Sequence, residues 1–132
     1  MTAGARAVTL ARQAAHAAAD KLGTNIVAID MSEMLSVTDV FLIVSARNEP
    51  QMDAIVDAID EALLRDGVTA IRREGERGGR WVLLDFFDLV VHVQNAEERT
   101  VYSLERLWRD APRLDLGLED TDAPARRAAL SS

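Results

Sequence analysis

The chain has 132 residues, 48% of them hydrophobic, enough for one ordinary domain whose core needs neither a metal nor a disulfide. It contains no cysteine, which excludes thiol redox chemistry, a disulfide framework and any thiolate metal site. A formal net charge of -7 repels phosphate backbones at long range, so little direct RNA contact is expected and a basic protein is the favoured kind of partner.

Residues 8–22 set small apolar side chains among Arg12, Gln13, His16, Asp20 and Lys21, with Gly23 where a helix C-cap belongs, and predict a first helix. The run 25–30 (NIVAID) is short, β-rich and bounded by Gly23 and a polar loop, which predicts a buried strand; residues 40–45 predict a second. Asn48 offers a side-chain cap and Pro50 suits a first turn. Met52, Ile55, Val56, Ile59 and Leu63 then recur at helical spacing, so a second helix is expected over 49–65. The period changes after Gly67. Runs 68–74, 81–85 and 89–94 read as three strands joined by short turns, the first turn being Glu76-Arg77-Gly78-Gly79, and hence as antiparallel hairpins. Residues 96–109 resume helical spacing through Val101, Leu104, Leu107 and Trp108, with Glu97 and Glu98 early and Arg106 and Arg109 late, matching the macrodipole of a single third helix. Beyond Pro112 large apolar residues are few. Residues 112–132 are therefore expected to form a disordered C-terminal tail outside a domain of residues 1–111.

The order α-β-β-α-β-β-β-α predicts an α/β fold, a mixed five-stranded sheet flanked by helices. Asp85 and Asp88 break the longest apolar stretches well short of the roughly 20 residues that span a bilayer. Arg6, Arg12 and His16 lie among alanines without a signal-like apolar block, so the expected location is the cytoplasm, away from membranes.

The polar residues offer little catalytic chemistry. Asp30, Asp39, Asp85 and Asp88 stand at strand ends and are candidates for a magnesium site, but the glycine pair Gly78-Gly79 sits in a hairpin rather than between a strand and a helix N-terminus. Turn-shaping is the preferred role for these aspartates. His92 lies between valines in a strand, and its expected role is a core-edge or surface ring with a hydrogen bond rather than a catalytic one. Neither Ser36 nor Ser45 occupies a nucleophile elbow, so no hydrolytic centre is expected. Trp81, Phe86, Phe87, Tyr102 and Trp108 remain as an aromatic group suited either to core packing or to an interface.

Several separated motifs, in order, resemble one known family. They are Asp30 in NIVAID, the run from Ser36-Val37-Thr38-Asp39-Val40-Phe41 to Ser45, Gly67, Glu74-Gly75, Trp81-Val82-Leu83-Leu84-Asp85, Val90-Val91-His92-Val93 and Tyr102-Ser103-Leu104-Glu105-Arg106-Leu107-Trp108. Over about residues 8–109 the chain resembles the ribosomal silencing factor family, also called RsfS or Iojap. The resemblance implies a nucleotidyltransferase-like fold without the catalytic motif, no enzymatic activity and no cofactor. It also implies binding to the large ribosomal subunit through its protein fourteen, blocking of the small subunit, repression of translation under nutrient limitation, and a homodimer. Carried over residue by residue, the implied partner surface is Trp81, Asp85, His92, Tyr102, Glu105 and Trp108, with Trp81 or Tyr102 as apolar anchor and the carboxylates facing basic side chains. Trp108 has core packing of the third helix against the sheet as its alternative role, and Asp39 has fixing of the loop after the first strand by accepting backbone hydrogen bonds. Two other readings stand beside this one: a metal-dependent nucleotidyl enzyme, and a dimeric interaction module with a different partner.

Overall fold

A computed structural model of the protein describes residues 3–75 and 79–118. The chain runs α1 (Ala5–Asp20), β1 (Thr24–Asp30), β2 (Val40–Ala46), α2 (Glu49–Leu64), β3 (Arg72–Glu74), β4 (Trp81–Asp85), β5 (Leu89–Asn95), α3 (Ala96–Val101), α4 (Leu104–Leu107) and β6 (Arg113–Leu114). The strands form one six-stranded sheet in the order β3-β4-β5-β2-β1-β6. At its centre β2 and β5 run parallel, pairing Val40 with Leu89 through Ala46 with Asn95. The other neighbours are antiparallel. The long connection from β2 to β5 is what a parallel pair requires.

Both long helices lie on one face of the sheet. Helix α1 buries Ala7, Leu10, Ala11, Ala14, Ala15 and Ala18. These small side chains let its axis approach α2 and the strands closely. Helix α2 begins where expected, with the Asn48 side chain accepting from the Gln51 N–H at 2.9 Å, and buries Met52, Ile55, Val56, Ile59 and Leu63. Alternation along the strands supplies the facing layer, including Leu42 and Val44 of β2, Val82 and Leu84 of β4, and Val91 and Val93 of β5. Gly23 serves packing. The left-handed residue at the end of α1 is Leu22, with φ of 64°, and Gly23 donates to Ala18 O at 2.9 Å. A Cβ on Gly23 would lie 2.8 Å from Val44 Cγ1, so the position needs a residue without one.

Three expectations are corrected. Residues 68–71 lie outside the strands, and β3 is reduced to Arg72–Glu74, all exposed. The single third helix is two short ones, because Ser103 opens a new helix by accepting from the Arg106 N–H. The sheet has a sixth strand, made by residues expected in the tail: Arg113 and Leu114 pair with Ile29 and Ala28, and Leu116 is buried in the same apolar cluster as the inner faces of α1 and α2. The expected disorder at 112–118 therefore gives way to sheet-edge pairing. The remainder of that tail, and residues 76–78 of the expected first turn, lie outside the described residues.

Candidate functional site

The face opposite α1 and α2 is covered in part by α3, α4 and the β1–β2 connection. Strand parity decides what it shows. On β4, Val82 and Leu84 face the helices, so Trp81, Leu83 and Asp85 face the other way. They stand opposite Gln94, His92 and Val90 of β5. The parallel register then sets Ile43 of β2 beside His92, with Phe41 on the same face.

Four rings form a row across this face. Phe41 meets His92 edge-on with centroids 4.8 Å apart, Trp81 lies 5.9 Å beyond His92, and Tyr102 5.8 Å beyond Trp81. The Trp81 indole N–H donates to His92 Nδ1 at 3.1 Å. His92 is 4% exposed, and this burial lowers its pKa to about 4, so the ring is neutral at physiological pH. An indole nitrogen only donates, so Nδ1 is the bare nitrogen and Nε2 carries the proton. The hydrogen-bonded strand histidine expected from sequence is thus found, on the core side of the two places open to it.

Tyr102 projects from the α3–α4 junction and is 56% exposed. A buried ion pair holds that junction. Arg99, 7% exposed, donates through Nε and Nη2 to the Glu105 carboxylate at 3.0 and 2.6 Å and through Nη1 to Ser45 Oγ at 2.8 Å. The Ser103 hydroxyl also donates to Glu105 at 3.1 Å. Burial raises the Glu105 pKa, but the hydrogen bonds and charge of Arg99 outweigh it and the net shift is downward. Glu105 is therefore committed within the chain. Trp108 packs over Ile29, Met31, Ile43 and Ala111 on the same face, which is its alternative, core role.

Next to the ring row lies a groove of about 360 Å³. Leu35, Phe41, Leu83 and Val90 line it, and its rim carries Val37, Ile71 and Phe87, which are 73%, 66% and 63% exposed. Phe87 sits in the β4–β5 turn at φ of 77°, a strained position for a bulky side chain, held by its N–H donating to Asp85 Oδ1 at 2.9 Å. Asp85 also pairs with Arg72 at 3.7 Å.

Asp30 shapes backbone, as its turn propensity implied. Asp30 accepts from the Ala3 and Ser32 N–H groups, each at 3.0 Å, and from the Ser32 hydroxyl at 2.6 Å. Burial raises its pKa, and these bonds more than reverse the shift. Asp39 accepts from the Gly4 N–H at 2.9 Å, so it anchors backbone at the start of α1 rather than in its own loop. Among the described residues, no group of three or more histidine, aspartate or glutamate side chains is placed to hold a metal ion. No helix among them is long and apolar enough to cross a membrane. Sequence reasoning misses Phe41, Leu83, Ile71, Arg99 and Ser45. Strand parity from Trp81 and from Ser45 finds Leu83 and Phe41, whereas Ile71 and the Arg99 contact carry no local signal.

Fold and face together define a class: an α/β protein with one sheet face sealed by two helices and the other left as an aromatic platform beside an apolar groove. Residues 4–132 match the family model described as ribosomal silencing factor during starvation, and the chain belongs to that family. It is similar to the ribosomal silencing factor of Bacillus subtilis, with 42% identity over 103 residues, covering 78% of this chain and 87% of that one. The corresponding factor of Halalkalibacterium halodurans is 38% identical over 107 residues, covering 81% and 92%. A crystal structure of a protein from Chromobacterium violaceum, 27% identical, superposes with a TM-score of 0.73 over 83% of this chain and 91% of that one.

Proposed function

We propose that the protein is a non-enzymatic, cytoplasmic repressor of translation that docks by its open sheet face on the large ribosomal subunit, through large-subunit ribosomal protein fourteen. Docked there, it occupies the volume the small subunit needs. Such inhibition is steric, lasts as long as the complex, and requires no turnover. The row Phe41–His92–Trp81–Tyr102 beside exposed Val37, Ile71 and Phe87 carries the reading, because clustered aromatic and apolar surface of this kind is what protein partners cover. Family membership points it at the ribosome.

Within the six residues expected at the interface, Trp81 and Tyr102 are the anchors and Asp85 is a rim carboxylate. His92, Glu105 and Trp108 act from behind, holding Trp81 and the α3–α4 junction in place. The net charge of -7 favours encounter with a basic ribosomal protein. In the free state the chain pairs as a homodimer, which sedimentation equilibrium tests directly.

Sucrose-gradient co-sedimentation with separated large subunits, small subunits and joined ribosomes tests the main reading. Migration with free large subunits, and loss of joined ribosomes when small subunits are added, is the expected result. Absence of co-sedimentation at low salt refutes it.

A further inference from the structure

Tyr102 stands where no regular element holds it. It closes α3 with φ of -114° and ψ of 78°, and Ser103 already caps α4. Its N–H donates to Glu98 O at 2.7 Å, but its carbonyl belongs to the group that a helix end leaves without partners. That oxygen accepts from the Gln94 side-chain amide at 3.2 Å. Gln94 is 0% exposed and stands opposite Trp81 in the β4–β5 ladder. A single buried side chain therefore links the strand position facing Trp81 to the joint that carries Tyr102, and the two rings lie 5.8 Å apart.

Stability does not account for a glutamine at this position. Its other polar atom, Oε1, is buried with no hydrogen-bond partner among the described residues. Such an orphan costs more than a neutral hydrogen bond typically returns, and an apolar side chain of the same length would avoid it. We infer that Gln94 is a positioning residue for docking: its amide fixes the Tyr102 carbonyl, so that the Tyr102 ring rests against Trp81 before any partner arrives. This rests on the docking function proposed above, whose two anchors it presets. The pair of Arg99 with Glu105 ties α3 to α4, whereas Gln94 ties their joint to the sheet. A joint fixed in advance loses less conformational freedom on binding, so the amide strengthens docking without strengthening the fold.

Gln94→Met, made in the full chain alone and together with Tyr102→Ala, tests this by titration against purified large subunits, urea unfolding and near-ultraviolet circular dichroism. Methionine matches the length of glutamine and removes both the donor and the orphan acceptor. The expected signature is a urea midpoint no lower than the parent's, a weakened aromatic dichroic band, and affinity about 5-fold weaker, the equivalent of one net hydrogen bond. In the Tyr102→Ala background the same change is expected to alter affinity by less than about 2-fold, because the residue through which Gln94 acts is gone. Parental affinity in Gln94→Met, or an equal loss in both backgrounds, overturns the inference. A lowered midpoint or a failure to fold in Gln94→Met and Gln94→Leu alike also overturns it, since the glutamine would then serve the core. If the unmodified chain does not bind large subunits, the docking function falls and Gln94's part in docking with it. An unchanged dichroic band in Gln94→Met, read without any ribosome, refutes the placement of Tyr102 on its own.

Discussion

Glu105→Ala removes the carboxylate bonded to the buried Arg99 guanidinium and leaves Ser45 Oγ as its remaining partner among the described residues. Truncating one member of a buried pair typically costs about 3–5 kcal/mol, because an uncompensated charge stays behind. The Glu105 side chain retains 21% of its exposure against 8% for Arg99, so water reaches the vacated space and the lower end, about 3 kcal/mol, applies. That is a large part of the roughly 5–15 kcal/mol that holds a domain of this size. Urea titration followed by tryptophan fluorescence and circular dichroism measures it. The double variant Arg99→Met/Glu105→Leu removes both charges and is expected to recover most of the loss. A cost below about 1 kcal/mol for Glu105→Ala would show that the pair behaves like an exposed one and that something other than this pair fixes the position of Tyr102.

Trp81→Ala is expected to weaken docking by a hot-spot amount, about 2 kcal/mol or more, in a co-sedimentation titration while the chain stays folded; unfolding instead would make Trp81 core. Stability is expected to fall between pH 6.5 and about 4, because His92 stays neutral in the fold while the unfolded chain takes up its proton. The full effect is about 3 kcal/mol, and His92→Phe should flatten that part of a urea-midpoint profile. The contribution of Glu105 has the carboxylate sign. It is complete above its ordinary value of 4.5 and is lost as pH falls through its lowered folded value, so in Arg99→Met/Glu105→Leu the steepening of acid unfolding below 4.5 should diminish. Gly75→Ala should cost at least about 2 kcal/mol in chemical denaturation, since φ is 102° there and a Cβ would stand 2.4 Å from Trp81 O.

The first half of the chain was legible because each of its signals is local. Asn48 caps α2 from the adjacent position, and the apolar period of α2 matches its buried face residue by residue. The strands β1 and β2 are bounded by residues that stop them. The second half hides three decisions. Ser103 breaks what reads as one helical period from Val101 to Trp108, because apolar spacing alone does not register a new cap. The pairing of Arg113 and Leu114 with β1 is a contact across more than eighty residues, made by a two-residue strand too short to show alternation. Arg99 reads as an exposed helical arginine until Ser45 and Glu105 are brought to it. As for the site, Trp81, Asp85, His92, Tyr102, Glu105 and Trp108 do share one face of the sheet. Which of them meet solvent and which stand behind is a matter of packing that residue type does not encode.

The parallel pairing of β2 with β5 joins positions forty-nine residues apart, Val40 with Leu89 among them, and it is this ladder that brings Phe41 to His92. The aromatic row therefore draws on both early and late parts of the chain. A nascent or proteolysed chain ending before β5 holds the residues of α1, β1, β2, α2, β3 and β4 but lacks His92 and Tyr102 and so has no complete row, and such a long-range closure is slow relative to helix formation. On the docking proposed above, recognition is in this way tied to completion: the protein becomes competent only once its central ladder has zipped, and separated halves should regain the surface only by finding each other.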